Sequence, residues 1–145
     1  MAQAHESREV VVTENGKGRY QQDVSVGAHR FVADEPVSMG GGDAGPAPFD
    51  YLLSALGACT SMTLRMYAEL KKLPVTGISV TLRHEKVEIE GRGKVDYIHR
   101  KIALTGDLTD EQRVRMLEIA NRCPVHKTLT GTVEIQSALQ DSLPD

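Results

Sequence analysis

The sequence predicts an α+β fold, with mostly antiparallel sheets around a long central helix. Three observations carry this. Strand-like segments follow one another directly instead of alternating with helices, the pattern of α+β chains and not of βαβ units. The dipeptide Asn15-Gly16 stands between two alternating apolar segments, a hairpin arrangement. From about Pro48 to Lys72 no internal proline interrupts a run rich in Leu, Ala and Met, so a helix several turns long fits there.

In chain order, residues 8–13 (REVVVT) and 20–26 (YQQDVSV) read as the strands of that hairpin, and 29–33 (HRFVA) as a third, closed by Asp34-Glu35-Pro36. The glycine run GGGDAGPAP leads into the long helix, whose first turn suits Pro48 and whose end is set by Leu73-Pro74. Residues 77–89 alternate at Ile78, Val80 and Leu82, and pair with 96–105 across the turn Glu90-Gly91-Arg92-Gly93. Thr109-Asp110-Glu111-Gln112 is a capping box that opens a helix to about Arg122. Cys123-Pro124 breaks it. A short helical turn over 124–129 then leads to a last strand, 131–138 (GTVEIQSA). The 145 residues fit one domain, 1–145, with 1–7 and 140–145 as flexible tails.

The composition excludes several functions. A formal net charge of −3, with the charges interspersed, gives no basic face for nucleic acid. The basic runs Lys71-Lys72 and His99-Arg100-Lys101 read as solvated ends or faces of elements. No apolar stretch is long enough to span a membrane, and MAQAHESREVVV lacks the basic start and apolar core of a signal peptide. Two cysteines do not make a secreted disulfide framework, so the expected location is cytoplasmic, with the thiols resting reduced. Gly40, Gly42 and Gly45 spell G-x-G-x-x-G, but DEPVSM before them is no buried strand. Nor does a Gly-Lys-Ser/Thr close the run. It reads as a flexible loop, and no cofactor is expected.

The segment Phe49–Cys59 (FDYLLSALGAC) has only Asp50 and Ser54 as plainly polar residues. A helix apolar nearly all round is covered nearly all round, and one sheet covers one side only. A second copy of the chain is the natural cover, so a homodimer is expected. Leu52, Leu56, Cys59, Thr63 and Met66 share a face. Read alone, Cys59 is a structural thiol acting as a small hydrophobe. Cys123 opens another reading: it shares an inward face with Met116 and Ala120, and can cap the turn at 124–129, where free N–H groups favour a thiolate. His126, three residues on, would add to this as imidazolium. The two thiols could then meet as an attacking and a resolving pair. A metal site is the weaker use of the same residues, because no C-x-x-C pairing exists and His84 and His99 fall on strands.

Asp34-Glu35-Pro36, then GGGDAGPAP, then LLSALGAC ending at Cys59, and NRCPVHKTL around Cys123 together resemble the OsmC and organic-hydroperoxide-resistance (Ohr) family. TLRMYAELKK and Cys-Pro-Val-His look most like its OsmC-like branch. The resemblance implies an intertwined homodimer with paired long helices between sheets, and a thiol peroxidase acting on organic hydroperoxides in oxidative stress defence. By motif position Cys59 corresponds to the attacking thiol, which becomes a sulfenic acid, and Cys123 to the resolving thiol, which closes a disulfide for a cellular dithiol to reduce. Family members place a glutamate ten residues before the attacking cysteine, oriented toward an arginine from the N-terminal portion. Here that position holds Phe49, with Asp50 one step off, and Arg19 is the better match for the arginine. Two other readings stand beside this one. One is a non-catalytic dimer that binds a small apolar ligand or senses redox state; the other is a hydrolase using Cys59 with His126.

Overall fold

The computed structural model describes residues 8–144, so the expected tail at 1–7 lies outside the described residues. The chain divides into two compact units, Met1–Tyr51 with Ser137–Asp145, and Leu52–Gln136. It is an α+β fold with antiparallel sheets.

In the first unit β1 (Val10–Glu14), β2 (Gln22–Val26) and β3 (His29–Ala33) form an antiparallel meander. Val12 faces Val24 and Val24 faces Phe31, so one apolar row crosses all three strands and buries Val24. The connection from β1 to β2 starts at Asn15-Gly16 and runs to Gln21. It closes where Asn15 N–H donates to Gln21 O at 3.2 Å. The Asn15 side chain accepts from Lys17 N–H at 2.9 Å and donates to Asp23 at 2.9 Å. The asparagine thus braces an Asx turn in a wider loop.

The glycine run packs around Asp34, which is buried. The carboxylate accepts N–H groups from Glu35 at 2.8 Å, Ala44 at 3.0 Å and Gly42 at 3.2 Å. A β-carbon on Gly41 would stand 2.0 Å from Glu35 O, and one on Gly45 would stand 2.3 Å from Val32 O. Glycine is needed here because backbone passes against backbone. Amides of the kind that could cradle a phosphate are turned onto the chain's own carboxylate.

Helix α1 (Pro48–Leu70) begins at the end of this unit. The Asp50 carboxylate accepts the Ala47 N–H at 2.9 Å, close to the positive end of the helix dipole. Tyr51 donates to Val32 O at 2.5 Å, and its ring centroid lies 5.4 Å from that of Phe31. The helix ends with Lys72 in the left-handed region (φ 53°) and Leu73 N–H reaching back to Ala68 O at 2.8 Å. This is a Schellman ending that Pro74 forbids from continuing.

In the second unit α1 buries Leu56, Gly57, Thr60, Leu64 and Ala68, a row with four-residue spacing. Met66, expected on the covered face, is 53% exposed, and Cys59 and Thr63 lie half-buried on the flank. β4 (Val75–Ile89) and β5 (Gly93–Gly106) form one long hairpin. Helix α2 (Asp110–Ala120) starts at the expected capping box: Thr109 accepts from Gln112 N–H, and the Gln112 side chain accepts from Thr109 N–H. Leu64, Ala68, Val75, Met116, Ile119 and Ala120 make the core, with Ile78, Ile102 and Leu104 of the hairpin packed against it. Helix α3 (Pro124–Thr130) follows.

The strand expected at 131–138 does not form. The segment is exposed, with Val133 at 57% and Ile135 at 86% exposure, and no described strand pairs with it. A strand exists only through a neighbour's ladder; its alternating apolar residues record the propensity without the pairing.

Candidate functional site

Two free cysteines come together in the second unit. Cys59 sits half-buried on the flank of α1, and Cys123 is wholly buried between α2 and α3. The α-helical period carries Met116 and Ala120, both fully buried, onto the face that Cys123 continues. α2 ends at Ala120, capped by Asn121, and Pro124 opens α3. Cys123 is left as N-cap of α3 with extended backbone, its sulfur accepting the His126 N–H at 3.3 Å.

The Cys59 thiol is pushed above its ordinary value, first by burial. The Val125 N–H opposes the rise, the neighbouring Cys123 thiol adds to it, and the Thr63 hydroxyl opposes it. Each of these neighbours follows from a local rule. Val125 lies in the first turn of α3, where N–H groups lack helical acceptors, and Thr63 is one turn along α1 from Cys59.

A cation stands close by, in a run expected to be solvated. Arg100 belongs to the basic run assigned to solvent, yet along β5 it keeps step with Ile98, Ile102 and Leu104, and period two puts all four on one face. Its guanidinium donates to Thr60 Oγ1 at 3.1 Å and to Asn121 Oδ1 at 2.9 Å. Thr60, fully buried one residue after Cys59, donates to Leu56 O at 2.7 Å and lies 4.0 Å from the Cys123 sulfur. A charged residue in register with aliphatic ones on a strand is the sequence feature that could have found Arg100. Nothing comparable marks Thr60 or Asn121.

His126 does not supply positive charge. Burial and the nearby Arg100 hold its imidazole below 6.5, so it is neutral at pH 7. Of the other expected residues, Arg19 lies in the first unit on the β1–β2 loop, its guanidinium 4.9 Å over the Tyr20 ring. Phe49 is 51% exposed, and Asp50 serves the start of α1 as described. The structure therefore groups Cys59, Cys123 and His126 in the second unit, while Arg19, Phe49 and Asp50 belong to the first. Among the described residues no group of three or more His, Cys, Asp or Glu is arranged to hold a metal ion. Among them, too, no helix is long and apolar enough to cross a membrane.

Chemically, two neighbouring thiols can exchange two electrons by closing a disulfide, and the half-buried one is the sulfur a solute can meet.

Comparison with solved structures finds the same fold several times. An OsmC-like protein from Mycoplasma pneumoniae aligns with a TM-score of 0.74 at 17% identity, covering 88% of this chain and 90% of its own. An organic hydroperoxide resistance protein OsmC from Legionella pneumophila aligns at 0.68 with 17% identity, covering 89% and 93%. An organic hydroperoxide resistance protein from Elizabethkingia anophelis aligns at 0.67 with 20% identity, covering 92% and 94%. No curated protein matches the sequence. The model of the OsmC family, described as OsmC-like protein, matches residues 40–138, a span that holds both cysteines and most of the chain; the chain belongs to the OsmC-like protein family.

Proposed function

We propose that this protein is a thiol-dependent peroxidase of organic hydroperoxides. The observation that carries the reading is that a half-buried free thiol on α1 has a fully buried one, the N-cap of α3, as its neighbour. The names of the Legionella and Elizabethkingia proteins, which speak of organic hydroperoxide resistance, support it by analogy. Cys59 as thiolate attacks the outer oxygen of ROOH, the O–O bond breaks, and the alkoxide leaves to take a proton. Cys123 then attacks the Cys59 sulfenic acid, forming the S–S bond and releasing hydroxide, which is protonated to water. The protein loses two electrons to the peroxide and regains them from a cellular dithiol. The raised Cys59 thiol makes the first step dependent on pH, with rate rising as pH rises toward the thiol's shifted value.

A homodimer completes the proposal. The side of α1 away from the core exposes Met62, Met66 and Leu70, and Ser61, Met62, Arg65, Met66 and Ile78 line a groove of about 350 Å³. Apolar area of this kind is covered in stable proteins.

The test is stopped-flow mixing of pre-reduced protein with cumene hydroperoxide. Wild type should lose two thiols per peroxide consumed. Cys59→Ser should lose the reaction, and Cys123→Ser should stop at a sulfenic acid that dimedone traps. Equal consumption by wild type and Cys59→Ser would end the proposal. The raised Cys59 thiol also favours a second reading, a non-catalytic ligand-binding or redox-sensing dimer, which predicts that any disulfide forms only slowly.

A further inference from the structure

The two sulfurs have unequal surroundings. Cys59 can meet solutes, whereas Cys123 has 0% exposure and would be an inert buried thiol in an apolar setting. Its setting is not apolar. Thr60 Oγ1 stands 4.0 Å from the Cys123 sulfur, and Arg100 donates to that same oxygen at 3.1 Å. The second nitrogen of Arg100 is fixed on Asn121 Oδ1 at 2.9 Å. Both partners are neutral oxygens, so neither cancels the guanidinium charge. The single Thr60 hydroxyl proton lies toward Leu56 O at 2.7 Å while both cysteines are reduced.

We propose that Arg100, acting through the Thr60 hydroxyl, is a positioning residue that makes Cys123 the departing sulfur when a Cys59–Cys123 disulfide is reduced. This rests on the disulfide cycle of the preceding subsection. The thiolate of an incoming dithiol attacks the Cys59 sulfur, the one that faces solvent. A new S–S bond forms there, the Cys59–Cys123 bond breaks, and its electron pair leaves on Cys123. The Thr60 hydroxyl turns its proton from Leu56 O to that sulfur, while Arg100 continues to donate to the Thr60 oxygen and polarises it. The second thiol of the reductant then displaces Cys59, so the dithiol is oxidised by two electrons and both cysteines return to thiols on taking up protons. The less basic sulfur is the better leaving group, so stabilising Cys123 sets which sulfur is attacked.

Among the described residues, the titratable ones placed around Cys123 are Cys59 from α1, His126 from α3, which reaches it by its backbone N–H, and Arg100 from β5, which reaches it through Thr60. His126 is neutral across the range where a thiol titrates, which leaves Arg100 as the cation among these three.

The experiment titrates thiolate absorbance against pH in Cys59→Ser protein, where Cys123 is the sole thiol and no peroxide is needed. Adding Arg100→Gln should raise the Cys123 value by about one unit, a tenfold loss of thiolate below it. Adding Arg100→Lys should leave it near its starting value. Thr60→Val should reproduce the Arg100→Gln shift, and Thr60→Ser should not. With both cysteines present, Arg100→Gln should slow dithiothreitol reduction of the preformed disulfide several-fold. An unchanged titration in folded Arg100→Gln protein, or an equal shift in Arg100→Lys, overturns the role of Arg100. Failure of the wild type to form a mapped Cys59–Cys123 disulfide with cumene hydroperoxide overturns the cycle itself, and the titration reads the two failures apart.

Discussion

Asp34 is the residue whose chemistry most affects its own surroundings. The Ala44 N–H holds its carboxyl below the ordinary aspartate value; burial works against this, and the Glu35 and Gly42 N–H groups add to the lowering. A carboxyl lowered on folding contributes stability that is present above its unfolded value, and that is lost as pH falls through the lowered one. The loop should therefore be firm at neutral pH and weaken below about pH 4, the unfolded aspartate range. Asp34→Asn keeps one acceptor oxygen but loses the charge and presents N–H to N–H. Its unfolding midpoint should fall at pH 7, and the gap from wild type should narrow as pH drops from 5 to 3, read by thermal melts. A constant gap would show that the charge contributes nothing. Asp96 and Glu85 are lowered too, by Lys86 and Arg83 first, but the exposed pairs of the hairpin contribute little, and the comparison with Asp34→Asn subtracts them.

At the scale of elements, α2 depends on its start. Thr109 and Gln112 satisfy each other's backbone N–H, and Met116, Ile119 and Ala120 depend on that start for their place in the core. Thr109→Ala should cost about 1 kcal/mol in urea denaturation, with Thr109→Ser recovering most of it. This box was legible in the sequence, as were both ends of α1 and the long hairpin, because each follows from contacts within a few residues. What was not legible depended on partners distant in the chain. Asn15-Gly16 marked the connection between the two strands, but not the hydrogen bond to Asp23 that braces its asparagine side chain. Residues 131–138 have strand propensity and no ladder in this chain. Arg100 was assigned to solvent as one of three adjacent basic residues. The period of its strand, and a buried threonine forty positions earlier, decide its direction. The inward facing expected of both cysteines holds for Cys123, while Cys59 lies on the flank of α1, and the groups around them were not legible.

For the whole molecule, the uncovered side of α1 is the feature that most needs a partner. Met62 and Met66 are more than half exposed, nearly half way round the helix from the buried Leu64 and Ala68 row. Met66→Glu places a charge on that stripe without touching the core. Sedimentation should show wild type at twice the chain mass and Met66→Glu at the chain mass, with its helical circular dichroism retained. A wild type that sediments as one chain at micromolar concentration would remove the dimer from the proposal.

The complete burial of Cys123 has a bearing on wear. Excess oxidant drives an accessible sulfenic acid onward to sulfinic and sulfonic acids, from which thiols cannot rescue it. Only Cys59 stands where a second peroxide can arrive. Irreversible loss of a thiol by overdose is thus confined to one atom on the rim of a helix, and a spent molecule dies chemically while its interior stays intact.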